Sequence, residues 1–386
     1  DIDTSLNNGT ISFSSTINND GSGTARNLQL DTGAGSITVS GIIGDVGNSG
    51  VAIGTIDINN SDGAGTITLA GIGSSSTAGN AGVVDIGNTA TADLNLAGTF
   101  FTGGATTYQA DATGKDIDIT ANTTIKTTAS DITFQTGEID ITDGVTSVTI
   151  NSGSGDLILV NIHGDGTTDT TDLDIDGTAV TVKDIGLSTA KDEINGVNIT
   201  GTTVNLDGAI YTGGTGNTID ITGAVTLGGN TIIDSSTSGG NITITGAVTG
   251  TRDLDILSGS GLATITGNIG TGGTPLASLD INASNTAGHT GGVTFGGNIG
   301  TDSAAGSALT TLGNPKTTGT ITLSGVEYNT SDDQAFTAAA FALGGANVTF
   351  ATSSDPVDFT VSAAGGGDVT LADAANLTIN TVAGNI

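Results

Sequence analysis

Cysteine, methionine and tryptophan are absent from this chain, and proline occurs only three times. The missing cysteine excludes a disulfide framework, a thiolate metal centre and a thiol nucleophile. The scarcity of proline beside 64 glycines excludes collagen and proline-rich disorder. Positive charge is nearly missing as well. Seven Lys and Arg face 39 Asp and Glu, for a formal charge of −32. Such a surface repels nucleic acid and anionic membranes, so neither is expected as a partner. No apolar run is long enough to span a bilayer, and no secretory signal pattern is visible in the window. Residue 1 is not methionine, so the sequence reads as a segment cut or processed from a longer chain.

What is present is a regular supply of Ile, Val and Leu in short alternating runs. Examples are "SITVSG", "TIDIN", "TITLAG", "DIDITA", "NITITG" and "DVTLAD". Each places aliphatic side chains on one face of a short strand and Thr, Asp, Ser or Asn on the other. Gly, Asn and Asp fill the corners between strands. Nearly all the acids are Asp, a turn and strand-end residue; only Glu138, Glu193 and Glu327 are Glu. First strands at Leu28, Ile56 and Val84, at Val148, Leu173, Val197 and Ile219, and at Leu254, Leu279 and Leu309 recur at steps of about 22–30 residues. That is the circumference of one coil of a parallel β-helix. The expected fold is therefore all-β, a parallel β-helix (β-solenoid). The stretch Ser331 to Leu343 carries a capping-box pattern, but its repeat counterpart has no helical spacing, so strand is expected there too.

A longer repeat overlies the coils. "LAGTFFTGGATTYQA" (96–110) parallels "LSGVEYNTSDDQAFTA" (323–338), and "IKTTASDITF" (125–134) parallels "FATSSDPVDF" (350–359), at offsets of about 225–231 residues. The expected organisation is one superrepeat over residues 1–226 and an incomplete second over 227–386, continuous with the first. Arg26 and Arg252, the only arginines, fall at matching points of this repeat. They are expected to brace acids such as Asp31 and Asp253 or to bond corner carbonyls. Neither end of the window shows a polar cap, so further coils or a partner are expected to continue it.

Catalytic constellations are scarce. The strongest acidic motif is "HGDGTTDTTDLDIDG" (163–177), in which Asp165, Asp169, Asp172 and Asp174 form a candidate calcium site. It imitates an EF-hand start but has Lys183 where the bidentate Glu belongs, so an EF-hand is excluded. His163 and His289 lie far apart, in no metal-ligand spacing, and read as loop residues. No nucleophile elbow, Walker loop or dinucleotide fingerprint occurs. A lyase acting on uronates needs clustered cations, which are scattered here, and a glycosidase needs a carboxylate pair in an aromatic-lined cleft. The chain is accordingly read as a non-enzyme. Thr-x-Thr runs at 66–68, 264–266 and 320–322 fall in separated coils and so suggest no continuous hydroxyl face.

Taken together, "LTINTVAGNI", "GDLILVNIHGDG", "TPLASLDINAS" and "GGVTFGGNIGT" make the chain resemble the repeat arrays of giant secreted bacterial surface proteins, the filamentous-haemagglutinin-like adhesins. The resemblance implies a right-handed parallel β-helix, export to the bacterial cell surface and a structural role as an extracellular fibre or adhesin segment. Its implied partners are host or neighbouring-cell surface ligands, or further copies of itself. The alternatives are a self-assembling filament, sheath or surface-layer subunit, bridged laterally by calcium, and a β-helical polysaccharide-active enzyme or tailspike.

Overall fold

The structure is a computed structural model. It describes residues 1–380 other than 22, 45–50, 61–62, 112–116, 165–170, 188–193, 214–215, 238, 272–273, 283–289, 301–310, 314–316, 332–333, 345–346, 353–358, 364–368 and 372–375. The fold is a parallel β-solenoid with about 1% helix, a single 3-10 turn at Ser5–Asn7 among the described residues. No helix among the described residues is long and apolar enough to cross a membrane. The chain divides into two compact units, Asp1–Ile194 and Asn195–Ile386. The superrepeat boundary at 226/227 is a periodicity of the sequence and falls within the second unit.

In the first unit each coil runs through three faces. Face A begins Ile2–Asp3, Leu28–Asp31, Ile56–Ile58, Val84–Ile86 and Thr106–Gln109, each strand parallel to the next. Face B stacks Ile11–Phe13, Ile37–Val39, Ile67–Ile72 and the start of Leu94–Thr102. Face C stacks the end of Leu94–Thr102 on Thr123–Thr127, Ser147–Asn151 and Thr171–Val182. The second unit repeats this plan as faces D, E and F. Face D carries Ile210–Tyr211, Thr231–Asp234, Asp253–Leu257 and Ser278–Ile281. Face E carries the strands starting at Ile219, Ile242, Ala263, Val293, Thr320 and Ala340. Face F includes Val248–Thr249, Glu327–Thr330 and Asn347–Thr352.

Register explains the core. Ile17, Ile43, Ile72, Phe100, Ile125, Ile150 and Ile175 meet one above another on face C. Adjacent coils lie about 4.8 Å apart, so each buried aliphatic side chain touches its counterparts above and below. Each such burial contributes about 1.5–3 kcal/mol. The aromatics join these columns. Tyr108 stacks on Phe134 at 4.9 Å and meets Phe100 edge-on at 6.4 Å, while Tyr328 stacks on Phe350 at 5.0 Å. Burial pushes the pKa of Tyr108 well above its ordinary range.

Corners are held by amides. The carbonyl oxygen of an Asn or Asp side chain accepts a backbone N–H from the following coil. This occurs from Asn27 to Thr55, Asn122 to Thr146, Asp131 to Asp156, Asn268 to Asn298 and Asn298 to Val326. The ladder of hydrogen bonds thus continues where the strands stop. Glycine is required where coils touch most closely. A Cβ on Gly291 would collide with the carbonyl oxygen of Gly261, and one on Gly261 with that of Gly240.

Several sequence expectations change at this level. Leu28, Ile56 and Val84 do share a face, but the next strand on it begins at Thr106. Val148 and Leu173 belong to face C, Val197 and Ile219 to face E, and Leu254 and Leu279 to face D. Leu309 lies outside the described residues; the partner of Leu279 is Leu312. The strand expectation for Ser331 to Leu343 holds in its described part, which contains the strands Gln334–Ala338 and Ala340–Leu343.

Two buried asparagines show how a corner locks the register. Asn59 (φ 50°) accepts the Thr32 N–H at 2.9 Å and donates to Thr32 Oγ1 at 3.0 Å. Asn282 (φ 57°) does the same to Ser258, at 2.9 and 3.2 Å. Replacing Asn59 with Ala strands a buried N–H and puts a Cβ-bearing residue without a polar side chain in the left-handed region. Asn59→Ala is expected to lower stability by about 2–3 kcal/mol in denaturant unfolding. Asn59→Gly should recover only the backbone part of that loss.

Candidate functional site

The candidate calcium ligands are only partly placed. Asp165 and Asp169 lie outside the described residues, as does His289. Asp172 and Asp174 lie on the exposed side of Thr171–Val182, in register with Ser147 and Thr149. One residue pair further, Asn151 Nδ2 donates to Asp176 Oδ2 at 2.9 Å. Among the described residues no three His, Cys, Asp or Glu side chains converge on a metal-sized point.

The arginines sit at equivalent corners, each just before a strand, on face A or face D. The carbonyl of Arg26 accepts the Gly54 N–H, and that of Arg252 accepts the Ala277 N–H. Their side chains differ. Arg26 pairs with Asp20 at 3.2 Å, both largely exposed, and Arg252 Nε donates to the Gly228 carbonyl at 3.1 Å. An exposed pair of this kind stabilises little. Of the two expected roles, Arg252 takes the carbonyl bond; Arg26 takes an acid, Asp20, that sequence reading did not single out.

His163 is not a loop residue. It is the central residue of Ile162–Gly164, buried, and its Nδ1 lies 3.5 Å from Glu138 Oε2. It stands in register with Asp140, which is itself buried. The alternating pattern "NIHG" carries the strand, but no outward position of a short strand advertises that it will be covered.

One shallow groove, of about 350 Å³, lies where Thr107, Thr133 and Ile158 line face A beside Gln135 and Lys183. Its lining contains a cation and no carboxylate, so it offers no acid–base pair for glycoside chemistry. Tyr108 and Tyr328 are buried in the columns rather than placed as sugar-stacking platforms.

Carboxylates gather on faces A and D. Asp57 pairs in register with Asp85, and Asp255 with Asp280. Burial, then the charge of Asp280 and that of Asp253, raise the Asp255 carboxyl above its ordinary value; burial, then Asp253, raise Asp280. Both carboxyls therefore bind a proton more readily than a free Asp does, as expected of neighbouring, half-buried carboxyls on adjacent coils.

Face E has a different character. Thr243, Thr264, Thr294 and Thr322 are in register on consecutive coils. The Thr-x-Thr runs themselves do lie in separated coils, with Val293–Phe295 between 264–266 and 320–322; the ladder is continued by single Thr positions that the runs did not include. The stretches 241–245, 262–266, 292–296, 320–324 and 340–344 contain no charged residue. Sequence reading missed the ladder because the stacked partners are "NITIT", "LATIT", "GVTFG" and "TITLS", which share only the central Thr.

Comparison with protein-family models, curated proteins and solved structures gives no match to this chain.

The Asp255–Asp280 pair makes stability depend on pH with a definite sign. A raised folded-state pKa means that these carboxyls bind a proton more tightly in the folded chain than in the unfolded chain. The contribution is fully present below the ordinary value of 3.8 and is lost as pH rises through the raised value. Thermal midpoints of the chain should therefore fall as pH rises from mildly acidic to neutral. Asp280→Asn should flatten that dependence when both proteins are followed by circular dichroism.

Proposed function

We propose that this chain is a structural segment of an extracellular bacterial fibre or adhesin. Its work is to provide length and stiffness and to display an acidic surface to host or neighbouring-cell ligands. The observation that carries this reading is the parallel pairing of successive coils among the described residues, in register apart from shifts at Leu69/Gly71, Phe134/Thr136 and Thr200/Thr203. Backbone hydrogen bonds run from coil to coil, and the columns of Ile, Val and Leu run with them. Such an arrangement needs only nearest-neighbour contacts, so coils can be added by duplication without a new fold. The sequence style shared with filamentous-haemagglutinin-like arrays supports the surface location, and an acidic, cysteine-free chain suits it. The outer positions hold Asp, Thr and Asn in ladders, an arrangement suited to display more than to chemistry.

A second reading, a self-assembling filament or sheath subunit, is favoured by one observation, the neutral threonine ladder of face E. In a chain of −32 formal charge, like copies repel unless they meet on an uncharged patch. Small hydroxyl-bearing side chains, each both donor and acceptor, are self-complementary.

Sedimentation velocity and electron microscopy over a wide concentration range, with and without a calcium chelator, separate the two. The fibre-segment reading expects discrete particles whose sedimentation does not change with concentration. Polymers that grow with concentration, and that Thr264→Asp abolishes, would transfer the assignment to the filament.

A further inference from the structure

We propose that Asp31 and Asp57, on adjacent coils of face A, bind a calcium ion that staples the two coils together. Asp31 ends the strand Leu28–Asp31, and Asp57 is the centre of Ile56–Ile58. Leu30 opposes Ile58 and Gln29 opposes Asp57, so the two carboxylates project outward from neighbouring rungs. Asp31 is only 8% exposed. Its Oδ2 accepts a hydrogen bond from Gln29 Nε2 at 2.9 Å, while its Oδ1 is buried without a partner. Asp57 shows the same division. The Asn60 backbone N–H serves its carboxylate, and its Oδ1 is buried without a partner. Each carboxylate is thus held by one protein donor and leaves one oxygen with nothing to bond.

Buried carboxylate oxygens in that condition call for a ligand. Electrostatics shows that the groups sense one another: burial, then the Asp31 charge and afterwards that of Asp85, raise the Asp57 carboxyl. No nearby base relieves them, because Arg26, the closest in sequence, pairs with Asp20. The donors are oxygens alone, which excludes a preference for zinc or copper. Because no three acidic or histidine side chains converge among the described residues, water fills the rest of the shell. Calcium tolerates such an irregular, partly hydrated shell, and magnesium demands a near-ideal octahedron.

Face D is an internal control. There Asp253 takes bonds from Asn230 Nδ2 at 2.9 Å and Ser278 Oγ at 2.7 Å. The Asp255 and Asp280 side chains hydrogen-bond to each other across the two coils. Among the described residues, face D therefore has no carboxylate oxygen that is both buried and without a partner.

The test is isothermal titration and thermal melting of the whole chain with calcium chloride near neutral pH, at constant ionic strength, with magnesium chloride as a second arm. Asp31→Asn, Asp57→Asn and the control Asp280→Asn are compared with the parent, and circular dichroism verifies their fold. The parent should show saturable calcium binding and a raised melting midpoint, with a weaker response to magnesium. Asp31→Asn and Asp57→Asn should each lose that site and its share of the shift, and Asp280→Asn should keep both. Crystals grown in calcium chloride should show an ion between the two Oδ1 atoms. Equal calcium responses in the parent and in both face A variants would overturn the proposal. So would a parent that calcium leaves unchanged and acid alone stabilises, which would assign the site to a shared proton.

Discussion

Stacking in register is the constraint on which this molecule rests. A strand of three residues cannot bury a core or satisfy its own backbone. It becomes stable only when the next coil presents another short strand at the same height, about 4.8 Å away. Once that holds, the same kind of side chain must recur at each level, because each is the neighbour of the next. Ile56, Val84 and their counterparts are inward because Leu28 is inward. The corner asparagines and the close glycine contacts follow from the same spacing, since they bridge or permit the approach of adjacent coils.

Stacking also distributes the charge problem. Positions that alternate with the buried column face outward and pile up in columns of their own, so acids that are dispersed in the sequence become neighbours in space. The chain meets this repulsion locally and in several ways. Asp131 and Asp156 spend their oxygens on backbone N–H groups of the next coil. Asp253 is served by Asn230 and Ser278, and the Asp255 side chain hydrogen-bonds to Asp280. From Ile242 onward face E avoids the difficulty by carrying threonine where the preceding coil of the same face carries Asp220.

Much of the fold is legible in the sequence, because period-2 alternation and glycine-rich corners state the strand and the coil length directly. The strand content of Ser331 to Leu343 and the shared faces of Leu28, Ile56 and Val84 follow from that pattern. What the pattern cannot show is which face a strand belongs to. All faces are written in the same apolar–polar–apolar code, so the step from Val84 to Val148 silently changes face, and the polar Thr106 that truly follows Val84 goes unnoticed. Outward residues are less legible still. Nothing in "NIHG" marks His163 as covered, and nothing in "LQLD" or "IDIN" marks Asp31 and Asp57 as neighbours across 26 positions of chain. That information resides in register, which local sequence does not carry.

The central claim is therefore tested by measuring register itself. With no native cysteine, Thr38→Cys and Thr68→Cys can be labelled as a unique pair of nitroxides on the outer side of face B. The account places these residues directly opposite each other on adjacent coils, and so expects strong dipolar broadening of the electron paramagnetic resonance spectrum of the double mutant. Spectra equal to the sum of the two single mutants would mean that the labels are far apart, and would contradict the stacked solenoid.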